Sequence, residues 1–132
     1  MSEENVEVVR RIFDGWAAGD FGAGLADLDP DVVFVVRHPF PEAVEAVGPD
    51  GIRDYMARFL DNWESYAVKA GGLRAAGDTV VADAVQHGVG KASGIEMEQP
   101  FFMLFTFSAG KIVRIESILD RDEAREAAGL SE

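Results

Sequence analysis

The sequence has no cysteine, no long apolar run and few basic residues. Without cysteine the chain can form neither a disulfide nor a thiolate nucleophile, and a cytoplasmic location is the default expectation. No apolar run approaches the ~20 residues that a membrane-spanning helix needs. The acidic N-terminus also lacks the basic start and apolar stretch of a signal peptide. We therefore predict one cytoplasmic domain over residues 1–132.

The shortage of basic residues excludes several classes of partner. Twelve Lys and Arg residues stand against 24 Asp and Glu, which gives a formal net charge of −12. Because phosphate binding depends on Lys and Arg, we expect neither nucleic acid nor an anionic membrane surface as a partner. Only two histidines are present, without clustered carboxylates, so we predict no metal site and no cofactor. This excess of acidic residues is compatible with a small, mostly apolar molecule as the ligand.

What is present is a pattern of helices followed by strands. Val6, Val9, Ile12, Phe13 and Trp16 recur at helical spacing. Turn signals then separate several strand-like runs. The predicted elements are helices over 2–19, 21–28, 48–66 and 121–128 and strands over 32–36, 67–75, 79–91, 95–107 and 111–119. This order predicts an α+β fold in which helices pack on one face of a curved antiparallel sheet.

The strand segment "FFMLFTF" (101–107) is apolar on both of its faces. A sheet that is covered on one side only should alternate apolar and polar residues. The second face therefore needs a cover, and we predict a homodimer through the outer sheet face. The alternative cover is the C-terminal segment of the same chain.

Several segments, taken in order, resemble the SnoaL-like branch of the nuclear transport factor 2-like superfamily. They are "EENVEVVRRIFDGWAAGDF", "DPDVVF", "GPDGIRDYMARFL", "AAGDTVVADA" and "GKIVRIESILDRDEAREAAGL". The resemblance covers nearly the whole chain and implies a curved sheet around a helix pair, forming a cone with one deep pocket. Relatives include ketosteroid isomerase, polyketide cyclases and limonene epoxide hydrolase, so the fold alone does not define the activity.

The resemblance also implies roles for individual positions. The catalytic Asp-Pro of ketosteroid isomerases corresponds to His38-Pro39 here, and their two oxyanion donors correspond to Ile12 and Met103. Each missing donor is worth roughly 3–4 kcal/mol of barrier, so ketosteroid isomerase activity itself is not expected. Neither Glu116 nor the following Asp120 can be matched to the acid/base Asp of the polyketide cyclases, and we predict a solvated position for both.

Strand alternation, with His38 facing inward, predicts which side chains line the pocket. It sends Val113, Ile115 and Ser117 inward on the last strand, and glycines at 88 and 90 are expected to leave room for a ligand. The predicted pocket residues are Trp16, Phe34, His38, Tyr55, Phe59, Trp63, Gln86, Met103, Phe105 and Ser117. An apolar cavity with a few polar groups is the usual form of a small-molecule site.

Three hypotheses for function remain open at this point. In the first, His38 is a general base in cofactor-free isomerase- or cyclase-type chemistry on a small apolar carbonyl or polyketide-like compound, with Gln86 or Tyr55 as hydrogen-bond donors. In the second, the protein binds a small hydrophobic ligand without catalysis, and His38 is structural. In the third, it is a dimerisation module whose cavity is filled by its own aromatic side chains.

Overall fold

The computed structural model describes residues 2–37 and 44–129. Its helices are α1 (Ser2–Ala17), α2 (Gly48–Leu60) and α3 (Arg121–Ala128). Its strands are β1 (Leu28–Val36), β2 (Val44–Val47), β3 (Trp63–Ala76), β4 (Thr79–Gly90), β5 (Glu96–Ser108) and β6 (Lys111–Ile118). Within the described residues, no helix has the length and apolar character to cross a membrane.

The six strands form one curved, unclosed sheet in the order β2-β1-β6-β5-β4-β3. The α+β prediction is confirmed. Neighbouring strands are antiparallel, as predicted, except for β1 and β6, which are adjacent in the sheet and run parallel. The short strand β2, which pairs with β1, was not predicted.

Helices α1 and α2 pack on the inner face of the sheet. The apolar stripe of α1 contributes Val9, Ile12 and Phe13, all almost fully buried against β3 and β4. Helix α2 packs mainly on β1 and contributes Ile52. Because both helices pack on this face, the main core and the space between helices and sheet lie on the inner face.

Two of the helix predictions are wrong, one in its end point and one in its existence. The prediction extended α2 to residue 66, but it ends at Leu60, and Trp63 pairs with Gly90 in the β3–β4 ladder. The apolar spacing of α2 continues through Trp63, so strand pairing overrides the helical pattern. The predicted helix over 21–28 is only a turn and a 3-10 segment at residues 25–27. Gly24 has a φ of 91° there, and a Cβ on it would lie 2.6 Å from the Ile12 side chain.

Part of the outer face of the sheet, around Leu104 of β5, is covered by the C-terminal helix of the same chain. Leu104, Ile118 and Val81 form a second buried cluster with Ala124 of α3. The guanidinium of Arg121 lies 5.2 Å from the ring centre of Phe102 on the same face. The alternative cover predicted for β5, the C-terminal segment of the same chain, is therefore present, and the homodimer stays a prediction.

Candidate functional site

A cavity of about 400 Å³ lies between the sheet and the inner helices. Nine of the ten predicted pocket side chains line it: Trp16, Phe34, Tyr55, Phe59, Trp63, Gln86, Met103, Phe105 and Ser117. The tenth, His38, lies outside the described residues. The volume falls within the range of small-molecule pockets. The aromatic side chains line this space rather than filling it, which contradicts the hypothesis of a self-filled cavity.

The aromatic side chains of the wall form a continuous series of ring contacts. Tyr55 lies between Phe34 and Phe59, with ring centres 5.5 and 6.0 Å away. Phe59 in turn contacts Trp63 at 6.0 Å and meets the edge of Tyr66 at 5.0 Å. Such contacts fix the rings in place and give the cavity flat apolar walls.

The glycines at positions 88 and 90 do not leave room for a ligand. A Cβ on Gly88 would lie 2.6 Å from the Trp63 ring, and one on Gly90 would lie 2.5 Å from Ser93 Oγ. The prediction is wrong because both spaces are already taken by side chains of this chain. Gly88 lets the indole of Trp63 pack directly on the backbone of β4.

One polar network interrupts the apolar wall. The Tyr66 hydroxyl donates to Gln86 Oε1 at 2.5 Å, and Gln86 Nε2 donates to Gln99 Oε1 at 3.1 Å. Gln86 is 7% exposed and points inward, as alternation predicted, while His87 is exposed on the outer face. We refer to Tyr66, Gln86 and Gln99 as the polar relay.

Two members of the polar relay were missed by the sequence analysis. Tyr66 was assigned to the end of α2, whereas it lies on β3. Gln99 lies on β5, where the inward alternation of Phe105, Met103 and Phe101 continues through Gln99 to Met97. The same alternation, followed two residues further back, would have found it.

Burial of the Tyr66 hydroxyl, with a smaller contribution from Tyr55, raises the pKa of Tyr66 well above its ordinary value. The phenol therefore stays protonated throughout the neutral range and remains a hydrogen-bond donor to Gln86. Tyr66 serves in this state as an anchor for the relay and not as a general base near neutral pH.

A bulge on β6 changes one of the predicted inward positions. A bulge follows the Thr106–Arg114 pair, so that Ile112 and not Val113 takes the inward position opposite Phe107. Beyond the bulge, Ile115 and Ser117 line the cavity as predicted. Asp120 is exposed and caps α3 by accepting from the Glu123 backbone N–H.

Glu116 is buried on the outer face, and the solvated position predicted for it is wrong. Its carboxylate lies 2.5 Å from Arg37 Nη2 and 3.0 Å from Arg114 Nε. Arg37 also contacts Glu123 of α3 at 3.3 Å. Burial lowers the pKa of Arg37, but its hydrogen bonds and charge interactions with Glu116 and Glu123 raise it overall. These ion pairs tie the end of β1 to β6 and α3.

The described wall of the cavity carries no formally charged side chain. Its polar side chains are the polar relay, Ser117, Asn62 and Tyr55, and all remaining side chains are apolar except for the indole N–H groups of Trp16 and Trp63. No group of three or more potential metal ligands occurs within residues 2–37 and 44–129. The described residues can therefore bind and orient a ligand by packing and hydrogen bonding, and proton transfer near neutral pH would need a group such as His38.

Comparison with known proteins agrees with this geometry. Residues 9–115 match the model of the SnoaL-like domain. A nuclear transport factor 2-like protein from Burkholderia thailandensis is 26% identical, with a TM-score of 0.79 and coverage of 96% of this chain and 97% of that chain. A protein from Jannaschia sp. CCS1, proposed to be a SnoaL-like polyketide cyclase, is 23% identical, with a TM-score of 0.75 and coverage of 99% and 95%.

A third solved structure with this fold contains a small molecule. TerC, co-crystallised with polyporic acid, is 21% identical, with a TM-score of 0.77 and coverage of 96% of this chain and 98% of that chain. No curated protein shows significant sequence similarity to this chain. From the family match over most of its length, the chain belongs to the SnoaL-like family of the nuclear transport factor 2-like superfamily.

Proposed function

We propose that this protein binds a small, mostly apolar molecule in the cavity between the sheet and helices α1 and α2. The observation that carries the proposal is a space of about 400 Å³ whose wall is aromatic and aliphatic apart from a few polar groups. At protein packing densities this space holds roughly 15 to 20 non-hydrogen atoms. The binding of polyporic acid by TerC, a neighbour of the same fold, supports a small-molecule ligand.

The neutral fluorescent probe N-phenyl-1-naphthylamine tests the proposal. We expect its emission to increase on binding, because the cavity removes it from water, and we expect Ser117→Phe to abolish this increase. Ser117 faces the cavity opposite Met103, so a phenyl group there would occupy ligand space. Ser65→Phe, on an exposed position of β3, is the matched control and should bind like the wild type. Equal binding by both variants would place the probe elsewhere and contradict the proposal.

A second candidate function is proton transfer with His38 as the base. Phe34 and Val36 alternate along β1 and both line the cavity, and His38 is the next residue in this alternation. Since the described wall offers no other group that titrates near neutral pH, catalysis depends on this residue.

Deuterium exchange tests His38 directly. We expect the wild type to accelerate exchange of the α-protons of 2-tetralone in D₂O, followed by NMR, and His38→Ala to lower the accelerated rate by about 100-fold or more. N-phenyl-1-naphthylamine should bind this variant normally, which separates loss of the base from loss of the cavity. Full exchange activity in His38→Ala would exclude His38 as the base.

A further inference from the structure

The polar relay and the absence of charge from the described cavity wall together define a ligand chemistry. We infer that the cavity selects uncharged ligands with a carbonyl oxygen, and that Gln99, positioned by Gln86 and Tyr66, donates the hydrogen bond that orients them. This inference rests on the proposed ligand-binding function and deepens it.

The direction of the hydrogen bonds leaves a donor at the Gln99 end of the relay. Tyr66 donates to Gln86, and Gln86 donates to Gln99 Oε1. The amide oxygen of Gln99 is thereby used, and its Nε2 has no acceptor among residues 2–37 and 44–129. The Gln99 side chain is half-buried and lines the cavity, so this N–H is available to a carbonyl acceptor on a ligand.

The relay also holds that donor in a fixed position. Tyr66 is held by ring contacts with Phe59 and Trp63, at 5.0 and 5.7 Å between ring centres, and its raised pKa keeps the hydroxyl proton in place. Gln86 is almost fully buried on β4. A donor fixed in this way adds orientation as well as affinity, since little side-chain entropy is lost when the ligand binds.

Charge selection follows from the cavity wall and from the whole chain. Within the described part of the wall no Lys, Arg, Asp, Glu or His is present to pair with an ionised ligand. An ion would lose its hydration without compensation. Anions are disfavoured further by the net charge of −12. A ketone or quinone oxygen accepts a hydrogen bond without carrying charge, so it satisfies both constraints.

Three matched probes separate the inference from the proposed function. Fluorene has no polar atom, fluorenone adds one carbonyl oxygen, and 9-oxofluorene-2-carboxylate adds a negative charge. We measure their displacement of N-phenyl-1-naphthylamine at pH 7. The wild type should bind fluorenone at least tenfold more tightly than the carboxylate. Gln99→Met should weaken fluorenone binding about five- to tenfold and leave fluorene binding unchanged.

Two further variants identify the mechanism of orientation. Tyr66→Phe, which removes only the anchoring hydroxyl, should weaken fluorenone binding several-fold without affecting fluorene, and it serves as the test if Gln99→Met does not fold. Asn62→Leu is the matched control, because the Asn62 side chain also lines the cavity but its amide already donates to the Arg58 carbonyl at 3.2 Å. It should change the binding of fluorene and fluorenone equally or not at all.

The outcomes are distinguishable. Failure of N-phenyl-1-naphthylamine and all three fluorenes to bind the wild type overturns the proposed function and the inference with it. If the carboxylate binds as tightly as fluorenone, or if Gln99→Met and Tyr66→Phe change fluorene and fluorenone binding by the same factor, ligand binding stands and the inference is overturned.

Discussion

Phe105→Ala is expected to lower the free energy of unfolding by about 3–5 kcal/mol. The Phe105 side chain is fully buried on β5 and meets the edge of the Phe13 ring at 5.9 Å between ring centres. The Phe105 side chain packs between β5 and α1 and lines the cavity, so its removal would enlarge that cavity. Ring contacts stiffen the surrounding wall, so it can collapse only partly into the new space. We therefore expect the loss of unfolding free energy to lie in the upper part of the range for large-to-small core substitutions.

Phe102→Ala is the matched control for this prediction. Phe102 lies three residues earlier on the same strand but on the outer face, where it is partly exposed beside Arg121. We expect a loss of about 1–2 kcal/mol, because less apolar area is removed and solvent can occupy the space. Urea unfolding of both variants gives the comparison. Equal losses would show that the inner face is not the dominant core.

Glu116→Gln is expected to lower the free energy of unfolding by about 2–3 kcal/mol. The Glu116 side chain is 8% exposed and contacts two arginines, so removing its charge leaves Arg37 and Arg114 without their shared partner. Removal of one member of a buried ion pair typically costs 3–5 kcal/mol. The Arg37 side chain is 33% exposed and can regain some hydration, so the expected loss is smaller.

Glu123→Gln tests whether burial is the reason for that loss. Glu123 contacts the same arginine, Arg37, but its side chain is 37% exposed. Exposed ion pairs contribute below about 1 kcal/mol, and we expect a loss in that range. Chemical unfolding at low and high salt measures both variants. A loss in Glu123→Gln equal to that in Glu116→Gln would show that the carboxylate position does not matter.

The sequence predicted the fold class and nine of the side chains that line the cavity, because both depend largely on local periodicity. Alternation on β4 correctly predicted that Gln86 points inward, and the amphipathic spacing of α1 correctly predicted the core positions of Ile12 and Phe13. The end of α2 could not be predicted in the same way, since Trp63 continues the helical spacing and only its pairing with Gly90 places it in a strand.

Features that depend on distant residues were not predictable from local patterns. The partners of Arg37 are Glu116 and Glu123, and Glu123 lies 86 residues away, so the sequence near Arg37 does not indicate its ion pairs. The bulge on β6 likewise depends on the β5 register and carries no local signal beyond a strand-like run. The sequence left the cover of the outer face open between a second copy and the C-terminal segment, because the packing of α3 on Leu104 and Ile118 depends on residues far apart in the chain.

The parallel pair of β1 and β6 has a consequence for folding. Val36 pairs with Ser117, so this contact closes a loop that contains α2 and the consecutive strands β3, β4 and β5. Contacts of such long sequence separation form slowly, because the loop entropy is lost before the contact stabilises the chain. During synthesis, the β1–β2 hairpin and the β3–β5 meander can form early, but they join into one sheet only after the ribosome has released β6.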